Sequence, residues 1–234
     1  MKKLLLLSAL LIFACSSDDS SDNDDNNNNN NTFICDGAPY QSIVYGTQEW
    51  TVENACHTTY RDGTPIPHYS GENSVTMSNL TTGAWCYYDN DPTKYKIYNW
   101  FAVAGIHDND PNTPNKEFAP EGWHVPTDAE WTTLKNHLIA NGYNYDSTTT
   151  GNKIAKSMSS TTDWLNPTDV LVDTGEIIEP GAPGINQSLN NSSGFNAFPE
   201  GHRWRYAFAN EGYQANFWSS TEAASVGFDG LLAW

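Results

Sequence analysis

Gly122-Trp-His-Val-Pro-Thr-Asp-Ala-Glu-Trp131 is the stretch from which the rest of this chain can be read. Pro126 stops what precedes it, Thr127 stands at an N-cap position, and Glu130 follows three residues later. The threonine side chain can therefore satisfy a first-turn amide while the glutamate reaches back, forming a capping box. Trp131, Leu134 and Leu138 then share one face, and Asn141 with Gly142 ends the helix. Upstream, Ser42 to Tyr45 and Gln48 to Val52 are β-prone runs split by Gly46 and Thr47, which predicts a hairpin with a type II′ turn. Ile97 to Ala104 is apolar and aromatic, but its length and periodicity do not decide strand against helix. Asn216 to Ser220 reads as a buried aromatic strand. Gly, Pro, Asn, Ser and Thr punctuate the remainder so densely that long loops should outweigh regular structure.

The chain opens with Lys2 and Lys3, an apolar run from Leu4 to Phe13, and Ala14 directly before Cys15. A basic start, a short apolar core and a small residue before the cut describe a secretory leader over residues 1–14. An uncleaved membrane helix would need roughly 20 apolar residues, and this run meets Ser16, Ser17, Asp18 and Asp19 first. The cysteine after the cut resembles a bacterial lipobox, although Phe13 is bulkier than usual there. Cys15 is the expected lipidation site and the membrane contact. Ser16 to Asn31 contains only Ser, Asp and Asn. With no apolar side chain to offset conformational entropy, residues 15–32 are expected to form a disordered tether. Its acidic start looks like the export signal that takes some lipoproteins of the Bacteroidota to the outer face of the outer membrane, so a cell-surface location is expected.

Loss of Lys2 and Lys3 with the leader takes the formal charge from −17 to −19. That sign excludes nucleic acid as a partner and argues against adhesion to anionic lipid. Nine Trp, twelve Tyr and nine Phe among only 17% charged residues describe a rigid, aromatic, polar-surfaced extracellular domain over residues 33–234. Three cysteines follow Cys15, namely Cys35, Cys56 and Cys86, so at least one thiol has no partner within the chain. Cys56 and Cys86 are the expected disulfide pair, since both lie in the same half. No CxxC spacing suggests structural zinc.

Several segments, in order, look like the Fibrobacter succinogenes major paralogous domain: Tyr45-Gly-Thr-Gln-Glu-Trp50-Thr-Val-Glu-Asn54, Tyr60-Arg-Asp-Gly-Thr-Pro-Ile-Pro67, Trp85-Cys-Tyr-Tyr-Asp-Asn-Asp91, Tyr98-Asn-Trp100, Gly122 to Trp131, Ser193-Gly-Phe-Asn-Ala197 and Phe217-Trp-Ser-Ser-Thr221. The resemblance runs from about Ile43 to Trp234. Members of that family occur in secreted and lipid-anchored proteins and lack an agreed activity. The family is in turn similar to formylglycine-generating-enzyme and C-type-lectin-like folds. The resemblance therefore implies a compact α+β domain with short strands, few helices, long loops and neighbouring termini. It does not carry the enzyme's chemistry, because no cysteine follows Cys86. Family members usually continue through a further cysteine-bearing strand, so a C-terminally shortened copy is expected, with Cys35 as the partner of the missing cysteine. Ala119 stands where the family often has a cysteine.

Each candidate site has a plain alternative. Asp89, Asn90 and Asp91 before Pro92, and Asp108, Asn109 and Asp110 before Pro111, offer hard oxygen ligands suited to calcium, with Asp89 and Asp91 the candidate ligands. Asx-Pro is equally a turn signal, and no EF-hand spacing is present. None of the histidines His57, His68, His107, His124, His137 and His202 shows HxxxH spacing. No GxSxG elbow occurs, and Glu49, Glu53, Asp128 and Glu130 cannot be paired across a cleft from sequence. Trp50, Trp100, Trp123, Trp131 and Trp218 are read as core. Trp204 and Tyr206, near Arg203 and Arg205, are the candidate ligand-binding residues, able to stack on sugar rings while Asn and Asp bind hydroxyls. The expected function is a non-catalytic binding or adhesion module for a glycan or an extracellular or envelope protein. A carbohydrate-active enzyme and a structural paralog without a small-molecule ligand are the contrasting expectations.

Overall fold

The structure is a computed structural model that describes residues 2–4, 34–35, 38–71, 76–167, 180–204 and 206–222. Cys15, the tether, Arg205 and the final residues 223–234 lie outside the described residues. Short strand pairs and few helices make the described chain an α+β domain. β4 (Ser42–Tyr45) and β5 (Gln48–Thr51) pair antiparallel with Tyr45 opposite Gln48. Gly46 between them takes a positive φ of 61° and Thr47 does not, as the predicted turn requires. β1 (Lys2–Leu4), from the stretch read as a leader, lies parallel to β5 on its other side. β2 (Ile34–Cys35) pairs with β3 (Ala38–Pro39), and β6 (Trp85–Tyr87) with β7 (Lys96–Tyr98).

The undecided apolar run from Ile97 resolves into both readings. β7 ends at Tyr98, and Asn99 then caps α1 (Trp100–Val103) by accepting the Ala102 amide at 3.0 Å. The same side chain accepts the Ala84 amide at 2.9 Å and donates to the Thr82 carbonyl at 2.9 Å, tying α1 to the loop before β6. α2 (Asp128–Ala140) opens where Thr127 predicts. The Thr127 amide donates to Glu130 Oε2 at 3.0 Å, the Glu130 amide donates to Thr127 Oγ1 at 3.3 Å, and His124 Nε2 lies 3.0 Å from the same carboxylate. α3 (Ala155–Met158) is a single turn.

Asn216 to Ser220 corrects the sequence reading, since it is neither a strand nor fully buried. Its backbone is satisfied outside any ladder: the Trp218 carbonyl accepts Trp131 Nε1 at 3.3 Å, and the Ser220 amide donates to the Pro126 carbonyl at 2.8 Å. The Trp131 ring lies 5.6 Å from that of Phe217, so side-chain packing and single backbone bonds hold the segment against α2.

The core lies in contiguous aromatic patches. Tyr45, Trp50, Leu134, Leu138, Ile154 and Phe195 form one, with Trp131 and Phe217 packed on it. The Trp50 and Trp131 rings are 4.8 Å apart, so the first hairpin and the first turn of α2 share one contact. Tyr60, Ile66, Trp85, Tyr98, Val103 and Phe118 form a second patch, joined to the first by Trp218, whose Nε1 donates to the Tyr98 carbonyl at 2.9 Å. Met77, Ala84 and Cys86 form a third, smaller one. Arg61 secures the approach to α2, donating to the carbonyls of Ala119, Pro120 and Trp123 at 2.8, 3.0 and 3.0 Å.

Two outcomes follow for denaturation experiments. Leu134→Ala, at a fully buried position, should lower the unfolding free energy by about 2–5 kcal/mol in a urea titration. Burial raises the Glu130 pKa, but the bonds from the Thr127 amide, His124 and the Thr127 hydroxyl outweigh it, and the net shift is downward. A depressed carboxyl stabilises the fold above its unfolded value and ceases to do so as pH falls through the folded value. Glu130→Gln should therefore lose stability at neutral pH and show a shallower acid-unfolding profile below about pH 4.5.

Candidate functional site

β8 (Glu200–Trp204) and β9 (Ala207–Glu211) form an antiparallel hairpin in which Trp204 faces Ala207. Gly201 takes a positive φ of 62°, and a Cβ there would come within 2.4 Å of the Ala209 carbonyl oxygen, so the hairpin base admits only glycine. Strand alternation divides the side chains into two faces. On the inward face, the Arg203 guanidinium lies 4.7 Å from the Tyr69 ring and 4.6 Å from that of its cross-strand neighbour Phe208. Phe208 rests 4.9 Å from Tyr88, and Lys94 Nζ also lies 4.9 Å from the Tyr88 ring. This alternation of cations and rings fixes the hairpin to the 3-10 turn Tyr88–Asn90. The outward face carries His202 and Trp204 opposite Ala209 and Ala207, whose methyl groups are too short to cover an indole. Trp204 is 37% exposed and Tyr206, in the turn, 75%. The two residues picked out as ligand-binding candidates are thus brought together at one tip.

Lys94 occupies the base of the same hairpin. Its Nζ is 2.8 Å from both Glu211 carboxylate oxygens and 3.1 Å from Asp89 Oδ2. An ammonium therefore sits beside one of the two proposed calcium ligands. The other, Asp91, accepts the Thr93 amide at 2.9 Å and the Thr93 hydroxyl at 2.7 Å, and these bonds hold its pKa below the usual carboxylate range. Both carboxylates have work in the turn, where Asp89 and Asn90 adopt positive φ. Asp108 and Asp110 make similar bonds, accepting the amides of Asp110 and Asn112 at 3.0 and 2.9 Å. Among the described residues no three His, Cys, Asp or Glu side chains cluster as a metal site.

The cysteines overturn the expected pairing. Cys56 is disulfide-bonded, whereas Cys86 is a free, buried thiol. Cys86 points from β6 into the patch with Met77, its Sγ 3.7 Å from the Met77 sulfur and 3.6 Å from Arg203 Nη1. Burial pushes its pKa up, with the Arg203 bond and charge acting the other way. Proximity in sequence suggested a bridge, but the β6–β7 pairing turns Cys86 inward.

His57, His68 and His124 are engaged in packing and capping. His57 stacks 4.4 Å from Phe118 and contacts the Tyr40 hydroxyl at 3.3 Å, and burial pushes its pKa down to about 4. His124 completes the α2 cap, and His68 lies 4.4 Å from Trp85. Of the tryptophans read as core, Trp50 is fully buried, while Trp100, Trp123, Trp131 and Trp218 are half-buried. Trp85 and Trp164 are buried although the sequence reading did not single them out as core. It also passed over Arg61, Lys94, Glu200 and Phe208. The Asn99-Trp100 cap was legible in principle, as an Asn directly before an apolar run.

A family model described as the Fibrobacter succinogenes major domain matches residues 43–230. The chain belongs to that family. No curated protein and no solved structure matches it significantly. In this Fibrobacter succinogenes major domain the recognisable words are the ones that hold the fold together. Trp50, Arg61, Tyr98, Asn99, Glu130, Trp131, Phe195 and Trp218 all sit in core patches, caps or backbone clamps. The aromatic hairpin tip lies outside those words.

Thiol chemistry checks the cysteine assignment. Without reductant, an alkylating reagent should modify Cys86 only after denaturation, and Cys56 should resist until reduced. A Cys86-containing bridged peptide would contradict the structure.

Proposed function

We propose that this Fibrobacter succinogenes major domain is a non-catalytic binding module of a lipid-anchored envelope protein, displayed at the cell surface, and that the β8–β9 hairpin tip is its contact surface. The observation that carries the reading is the pairing of an exposed tip with an anchored root. Trp204 and Tyr206 present aromatic area to solvent, while Arg203 and Phe208 on the opposite face pin the hairpin in place. A strand pair anchored from behind leaves less backbone to be ordered on binding, which favours recognition.

The ligand class that fits best is a glycan. An indole beside a floor of two alanines offers a flat apolar surface for the C–H face of a pyranose, and His202 on the same face supplies a polar group for hydroxyls. A short-stranded α+β domain with long connections is compatible with a C-type-lectin-like scaffold. Calcium is not part of the proposal, because Lys94 and Thr93 already engage Asp89 and Asp91. Non-catalytic action is supported by the commitment of His57, His124 and Glu130 to packing and capping. Membrane attachment rests on Cys15 after its apolar leader.

A glycan array probed with the full-length protein in detergent tests this reading. Binding should weaken about tenfold, or ~1.4 kcal/mol, on Trp204→Ala or Tyr206→Ala with the thermal midpoint unchanged, and should persist in chelator. Retention of binding by the double variant would remove the hairpin tip from consideration. Separately, fatty-acid labelling of the expressed protein should disappear on Cys15→Ser.

A further inference from the structure

The proposed lipoprotein loses residues 1–14, and with them a strand of its first sheet. β1 lies parallel to β5, with Lys2 beside Gln48, Lys3 beside Glu49 and Leu4 beside Trp50. The Val52 amide donates to the Gln41 carbonyl at 3.1 Å, which fixes the parity of the β4–β5 ladder. By alternation, Gln48 and Trp50 bond back to β4, whereas the backbone N–H and C=O of Glu49 point to the edge that β1 covers. Gln48, Trp50 and Thr51 are buried around it. Buried backbone polar groups require partners, so removal of the leader leaves this edge to be filled again.

The leader is also a short fit. Its pairing stops at Trp50, and the hydroxyl of Thr51, one residue further, is buried with no hydrogen-bond partner among the described residues. A longer strand would run past it.

We infer that the β5 edge is a strand-acceptor site, which the C-terminal segment 223–234 enters once the leader has been removed. This exchange rests on leader removal, as in the lipoprotein reading, and not on what the hairpin binds. The chain enters that segment beside the acceptor. The Ser220 amide donates to the Pro126 carbonyl at 2.8 Å, and Thr221 Oγ1 accepts the Asp128 amide at 3.1 Å, which brings the chain to the first turn of α2. Gln48, the first residue of β5, reaches the same turn, donating to the Glu130 carbonyl at 3.2 Å. A segment of this length extends to about 40 Å, and β5 spans only about 13 Å. Its last residues, Leu231-Leu232-Ala233-Trp234, are apolar throughout, as a strand set among buried neighbours requires. Filling the edge from within the chain also withholds it from a second copy, which an open edge would invite.

Residue-resolved amide exchange of the mature lipoprotein in detergent, without ligand, tests the exchange of strands. Intact mass first reports whether residues 1–14 are gone, and their retention overturns the lipoprotein reading together with this one. In the processed chain the Glu49 amide should be protected. Deletion of residues 223–234 should speed its exchange about a hundredfold while the Trp50 amide, bonded to β4, changes little. Leu231→Asn combined with Leu232→Asn in the full-length chain should act in the same direction, which covers the case of a deletion variant that does not fold. A synthetic 223–234 peptide should restore protection to the deletion variant. An unprotected Glu49 amide in the processed wild-type chain overturns the strand exchange alone and leaves the lipoprotein reading standing. Protection that survives in the variants overturns it as well, and protection that rises with protein concentration assigns the edge to a second copy instead.

Discussion

The carboxylate of Glu130 is the point on which this structure turns. It closes the first turn of α2 by accepting from Thr127, and it takes His124 from the preceding loop. The backbone carbonyl of the same residue accepts Gln48 Nε2 from β5 at 3.2 Å. Gln48 is buried and its Oε1 accepts Trp50 Nε1 at 3.3 Å. One helix terminus thus fixes the height of the first hairpin, and the hairpin places Trp50 against Trp131. A helix end in a protein interior leaves unsatisfied amides unless something supplies acceptors. Here the residue whose side chain meets that requirement also ties together, through its carbonyl, two elements 82 residues apart.

That economy explains what the sequence revealed. The capping box, the Gly46 turn and the apolar face at Leu134 and Leu138 are local signals, and each is observed where the chain announces it. Readings that depended on long-range geometry fared differently. Asn216 to Ser220 has the composition of a buried strand, yet its carbonyl at Trp218 is taken by the Trp131 indole and no ladder forms there. Cys86 was paired by nearness in sequence, and the register of β6 against β7 faces it toward Met77 instead. Trp204 and Tyr206 were legible as unusual aromatics, but the anchoring of their hairpin depends on Tyr69, Tyr88 and Lys94, more than a hundred residues away in the chain. No periodicity reports such a contact.

The division of labour between words and tip also clarifies why family membership says little about activity. Residues that make the domain recognisable are occupied with folding: indoles donate to carbonyls, Arg61 binds three backbone carbonyls of one loop, and Asn99 serves a helix and a loop at once. A fold whose identifiable residues are consumed by its own architecture leaves function to the remainder.

The β8–β9 turn is where that freedom is greatest. Its inward side chains carry the attachment, its strands close at Trp204 and Ala207, and Tyr206 stands outside the ladder and exposed. Such a turn behaves as an interchangeable cassette. Paralogous copies could diverge in what they grasp by altering a handful of positions while the scaffold beneath stays the same, and one lineage could acquire many specificities without ever refolding.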